Sequence, residues 1–200
     1  MKLQSALTLV LMLSPLAAAA PESVQLGPYA VSFDMNTDIP YQIQQMEPIQ
    51  TDSVLMYGLQ IFTDNSTKAR ITISEYTSQI DSTLGVYKQL SAMGLALNGF
   101  NVTDVQDRSI DGRSGFIIGS EPFPENTAAP AGAVLFDALY WLDSVDCECG
   151  PVSVGTTSVD IMSSYQQDIT ESLVGSLHVE KVQASAQGMP PAGDMPPVEE

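Results

Sequence analysis

Basic residues, histidine and cysteine are all scarce in this 200-residue chain, and each scarcity removes a class of chemistry. Seven Lys and Arg stand against 24 Asp and Glu, a formal charge of −17. A protein so poor in cations cannot release counterions from a phosphate backbone, which argues against DNA, RNA and anionic lipid as partners. The same surface favours basic partners and divalent cations. There is one histidine, His178, and no G-x-S-x-G elbow, so no histidine-based triad can be read from spacing. After residue 20 no apolar run approaches the roughly 20 residues that a membrane span needs.

The two cysteines, Cys147 and Cys149, flank Glu148. An even count in an exported chain suggests a disulfide. On a strand, however, the two Cα atoms would lie about 6–7 Å apart on one face, beyond comfortable bridging geometry. A turn at Gly150-Pro151 could close the bridge. Disulfide, free thiols and metal ligation all stay open.

What is present begins with an address. Lys2, an apolar run from Leu7 to Leu13 and small residues from Ala17 to Ala20 have the layout of a secretory signal peptide over residues 1–19. Cleavage after Ala19 places Ala17 and Ala19 correctly and keeps Pro21 away from the cut. Ser5, Thr8, Ser14 and Pro15 weaken the competing reading, an uncleaved anchor. Loss of Lys2 would leave six basic residues against 24 acids, or −18. The expected location is secreted or cell-surface, with no membrane insertion after cleavage. Residues 20–182 read as one domain, with 44% hydrophobic residues in the whole chain to supply its core. Residues 183–200, rich in Ala, Gly, Pro and acid, read as a disordered tail.

Within the domain, Pro21 to Pro28 reads as an irregular lead. Alternating apolar residues predict strands over 29–33, more weakly over 41–50, then over 54–63 and 69–76. Ile80, Leu84, Tyr87, Leu90, Met93 and Leu97 recur at helical spacing and predict one helix packed by that stripe, ended by Asn98-Gly99. Gly85 and Gly94 within it suggest close approach to a sheet. Asp111-Gly112 predicts a type I′ hairpin between strands over 102–110 and 113–120. Further strands are expected over 133–142 and 152–159, a helix over 168–177, and extended residues over 178–182. Tyr140 and Trp141 are adjacent, so they should face opposite sides of their strand. The order predicts an α+β fold, an antiparallel sheet of about seven or eight strands packed by two helices.

Tyr29-Ala-Val-Ser-Phe33, the mid-chain helix, the Ile110-Asp-Gly-Arg-Ser-Gly-Phe116 hairpin and the strand pair before the final helix with Leu177 together resemble the Mog1/PsbP-like superfamily. The resemblance covers about residues 29–179 and implies an α/β/α sandwich. It also implies a non-enzymatic binding or assembly role, as in extrinsic photosystem proteins and a Ran-binding factor. The acidic, lysine-poor composition suggests a small exported protein of archaeal type.

The densest potential metal ligands are Asp143, Asp146, Cys147, Glu148 and Cys149, within seven residues. Two thiolates with His178 would suit zinc or copper, and the carboxylates calcium. The acidic turn lacks the alternating ligands and glycine of a calcium loop. His178 reads otherwise as a helix C-terminal cap. Asp111 is explained by its turn, and Asp104 and Asp107 by a solvated strand end. Asn65-Ser-Thr67 and Asn101-Val-Thr103 are N-glycosylation sequons. The leading expectation is therefore an exported, non-enzymatic domain that binds a protein or cell-envelope component, with no cofactor. A divalent-metal protein built on Asp143–Cys149 is the first alternative, and a hydrolase using His178 or clustered acids the second.

Overall fold

Gly27, at φ 56°, turns a first strand, β1 (Glu22–Leu26), back onto β2 (Tyr29–Phe33). The computed structural model describes residues 21–64, 66–80, 82–127, 129–130, 132–143 and 155–182. The lead at 21–28 is therefore mostly strand rather than irregular. The stretch from Tyr41 to Gln50 is two short strands, β3 (Gln42–Gln45) and β4 (Ile49–Gln50), interrupted before Pro48, which has no N–H for a ladder. Both pair with β5 (Val54–Thr63). Asp64, at φ 52°, begins the turn into β6 (Ser66–Ile80), which extends past the predicted strand at both ends.

Helix α1 (Leu84–Leu97) starts at Thr83, whose Oγ1 accepts from the Val86 N–H at 3.4 Å, and ends through Gly99 at φ 84°. Asp111 and Gly112, at φ 51° and 72°, form the expected turn between β7 (Phe100–Ile110) and β8 (Arg113–Pro122). Next come β9 (Leu135–Trp141), β10 (Gly155–Ser163), α2 (Gln167–Ser176) and β11 (His178–Lys181). The strand predicted over 152–159 runs on to Ser163, and residues 152–154 lie outside the described residues.

All pairings among the described residues are antiparallel. The large sheet runs β3-β5-β6-β10-β9-β8-β7, with β4 beside β5, and a small sheet runs β1-β2-β11. Two meanders meet where β6 pairs β10, with Ile71 opposite Ile161. This is a mixed α+β fold, a multi-stranded antiparallel sheet packed against two helices.

The period of two divides the large sheet cleanly. Leu59, Ile71, Ile117, Tyr140 and Val159 face the small sheet and α2, where Val31, Phe33, Ile169 and Leu173 complete the main core. Phe116, Ile118, Leu139 and Trp141 face the other way and form a second core under α1 with Leu95 and Tyr87. Tyr140 and Trp141 do part to opposite faces, and both are buried.

Helix α1 departs from the sequence reading. Its sheet-facing side carries Leu84, Tyr87 and Leu95, whereas Leu90, Met93 and Leu97 of the predicted inward stripe are exposed, along with Val86. The helix is apolar on two sides, so periodicity alone could not choose which one packs. A Cβ at Gly94 would meet nothing within 4 Å, and at Gly85 only the Thr83 hydroxyl. Neither glycine serves close packing on the sheet.

Candidate functional site

Helix α1 lies against β7 and β8, and among the described residues no helix is in comparable contact with β5, β6 or β10 on that same face. Cross-strand register arranges its residues in rows. Arg70, Met162 and Asp137 lie side by side across β6, β10 and β9; Thr72, Asp160 and Leu139 form the next row, and Ser74, Ser158 and Trp141 the third. Asp160 and Asp137 are therefore diagonal neighbours on adjacent strands, within reach of each other.

A cleft of about 340 Å³ lies over these rows. Arg70, Thr72, Ser74, Ser158 and Asp160 supply its polar floor; Met46, Ile49, Met56, Tyr76 and Leu139 supply apolar walls. The segment between β3 and β4 forms one side, held by the Met46 N–H donating to the Gly58 carbonyl at 2.8 Å. A Cβ at Gly58 would come within 2.7 Å of the Met46 sulfur, so a larger residue there displaces the Met46 side chain. At the α1 end, Tyr76 stacks on Trp141 with centroids 5.6 Å apart, and Tyr87 of α1 meets the indole edge-on at 5.2 Å.

Burial, and then the neighbouring Asp137 carboxyl, push the Asp160 carboxyl up to about 8, against the opposing pull of Arg70. Burial also raises Asp137, against Ser91, Asp160 and Arg70. Two carboxyls this close cannot both ionise cheaply, so the pair holds a shared proton at neutral pH. Asp137 is 7% exposed, and its Oδ1 has no hydrogen-bond partner. The Arg70 guanidinium donates to the Met162 sulfur at 3.1 Å, while its buried Nε has no acceptor. Only Asp160 of the two acids lines the cleft; Asp137 sits behind it. The site can bind polar groups, but Asp137 and Asp160 do not flank it as a pair; Glu47 is the second acid among its lining residues.

The residues singled out from sequence lie elsewhere. Of the proposed metal set only Asp143 falls among the described residues; Asp146, Cys147, Glu148 and Cys149 lie outside them, as does Asn65. The Asp143 carboxylate accepts from the Thr156 N–H (2.7 Å), the Thr156 hydroxyl (2.6 Å) and the Thr157 N–H (2.9 Å). Burial would raise its pKa, but these hydrogen bonds outweigh that and hold it below the usual carboxylate range. No cluster of three or more His, Cys, Asp or Glu suited to a metal occurs among the described residues.

His178 is not a helix cap. It opens β11, and its Nδ1 lies 2.6 Å from Asp111 Oδ1. Asp111 in turn accepts from Arg113 at 2.9 Å and from the Val179 N–H at 3.2 Å. Its carboxylate thus ties the β7–β8 turn to the small sheet, a role beyond the turn itself. Asp104 and Asp107 are exposed on β7, paired with Gln106 and Lys88. Asn101 is exposed on the same edge strand.

Arg70, Asp137 and Asp160 escaped the sequence reading. The signal was there, in Ala-Arg-Ile, Phe-Asp-Ala-Leu and Val-Asp-Ile-Met: a lone charge inside an apolar strand. Comparison with protein-family models, curated proteins and solved structures gave no match. The function must be argued from the cleft itself.

Proposed function

We propose that this protein is an exported, non-enzymatic binding domain that holds a small molecule, or a side chain of a protein or cell-envelope partner, in the cleft over β5, β6 and β10. One observation carries the reading: an apolar-walled concavity of about 340 Å³ has Arg70 and Asp160 on its floor, and the buried Arg70 Nε has no acceptor. Ligand sites are commonly of this kind, mostly apolar with a few placed polar groups. The basic, greasy, small-residue order of residues 1–19 supports export. The sheet-and-helix order supports a Mog1/PsbP-like layout, whose members are mostly binding subunits. With Asp137 behind the floor, Asp160 works as a recognition group rather than half of a catalytic pair.

Methyl NMR of the methionines tests this. Small ligands should shift the Met46 and Met56 methyls and be recovered chemically unchanged. Gly58→Leu, which pushes a side chain against Met46, should abolish those shifts. A ligand that leaves both methyls unmoved while shifting distant residues, or one that is turned over, would refute the reading.

A further inference from the structure

Resting on that reading of the cleft, we propose that its ligand is a small organic cation: a protonated amine on an apolar body, its ammonium seated at Asp160. Charge is the first argument. Glu47 and Asp160 line the cleft, Asp137 lies directly behind Asp160, and Arg70 is the one cation among the lining residues. A carboxylate ligand would add a fourth acid to three. Counting the proton shared by Asp137 and Asp160, the three acids carry a formal −2 against the +1 of Arg70, an excess of one that a neutral ligand would leave in place.

Hydrogen bonding is the second. Asp137, more than nine-tenths buried, keeps Oδ1 without a donor. An ammonium brings three donors, and Asp160, with Thr72 opposite it on β6 and Ser158 two residues away on β10, lines the floor with acceptors. One Arg70 N–H is already spent on the Met162 sulfur. The walls decide that the cation is organic. Met46, Ile49, Met56 and Leu139 supply no oxygen, whereas a bare calcium or magnesium ion requires six or more oxygen ligands. Tyr76 adds an aromatic surface beside them. The −17 field of the chain draws such a cation in from solution.

An ammonium at Asp160 favours the ionised carboxylate, so binding expels the proton shared with Asp137. The other charged or titratable groups facing the cleft are Arg70, Glu47, Tyr57 and Tyr76. Glu47 sits on the exposed rim.

Phenethylamine, phenethyl alcohol and phenylacetate share a body and differ in head charge. Titration of the full chain, read by the single tryptophan, Trp141, and by the Met46 and Met56 methyls, should give phenethylamine at least tenfold tighter binding than the alcohol and phenylacetate the weakest. Asp160→Asn should lose at least tenfold for the amine and erase its preference over the alcohol. Calorimetry in two buffers should find proton release with the amine only. Equal binding of amine and alcohol, or tighter phenylacetate, would overturn the cation assignment and leave the cleft reading intact. If none of the three moves the methionine methyls, both fall.

Discussion

Asp160→Asn is also a stability experiment, because the native fold forces a proton onto a carboxyl that the unfolded chain would ionise. The Asp160 carboxyl is raised to about 8 by burial and by Asp137, against about 3.9 unfolded. Between about pH 4 and 8 the native state therefore binds more protons than the unfolded state, and this group's contribution to stability falls as pH rises. At pH 7 the gap amounts to about three pKa units, a ceiling near 4 kcal/mol at about 1.4 kcal/mol per unit. Asp160 keeps some contact with solvent at the cleft, and relaxation there leaves about 2 kcal/mol. Asn cannot ionise, and its amide can donate to Asp137. The variant should be more stable than wild type by about 2 kcal/mol at pH 7–8, about 4–8 °C in Tm. That advantage should vanish near pH 4. Urea unfolding of both proteins at several pH values, followed by Trp141 fluorescence, measures the difference. A variant less stable than wild type at pH 8, or a difference that does not change with pH, would refute the reasoning.

Three further outcomes follow from particular contacts. Leu95→Ala, at a position 4% exposed, should cost about 2–4 kcal/mol, while Leu97→Ser, at a position 80% exposed, should change stability by less than about 0.5 kcal/mol; chemical denaturation of both separates the packed side of α1 from its open one. The Asp111 hydrogen bond raises the His178 pKa above its ordinary 6.5. This pair's stabilisation is complete at acidic pH and is lost as pH rises through the folded value; NMR titration should show that value falling in Asp111→Asn. Gly115→Ala should destabilise by about 1–3 kcal/mol, since its Cβ would come within 2.7 Å of the Leu139 carbonyl oxygen and 2.9 Å of the Tyr140 Cβ. Thermal unfolding of the purified variant checks it.

Among the described residues no helix is long and apolar enough to cross a membrane, so the stripe of Val86, Leu90, Met93 and Leu97 is a surface feature of α1. It shows where sequence reading fails. Those residues and the sheet-facing Leu84, Tyr87 and Leu95 lie on opposite sides of one helix, and the same spacing fits either side. Likewise Pro21 and Pro28 bracket Glu22–Leu26 and suggest an irregular lead, but pairing with β2 makes it a strand.

Local chemistry alone determined the Asp111-Gly112 turn, the strands that alternate strictly, the Asn98-Gly99 stop and the opposite facing of Tyr140 and Trp141. Each depends on backbone preference or on a period of two, which neighbours in sequence set between them. The cleft depended on what lies far apart in the chain. Arg70, Asp137 and Asp160 come from three strands, and they meet only because β6 and β9 both pair with β10 in one register. Their altered acidity then follows from burial and mutual repulsion, properties of the assembled sheet that no single strand possesses.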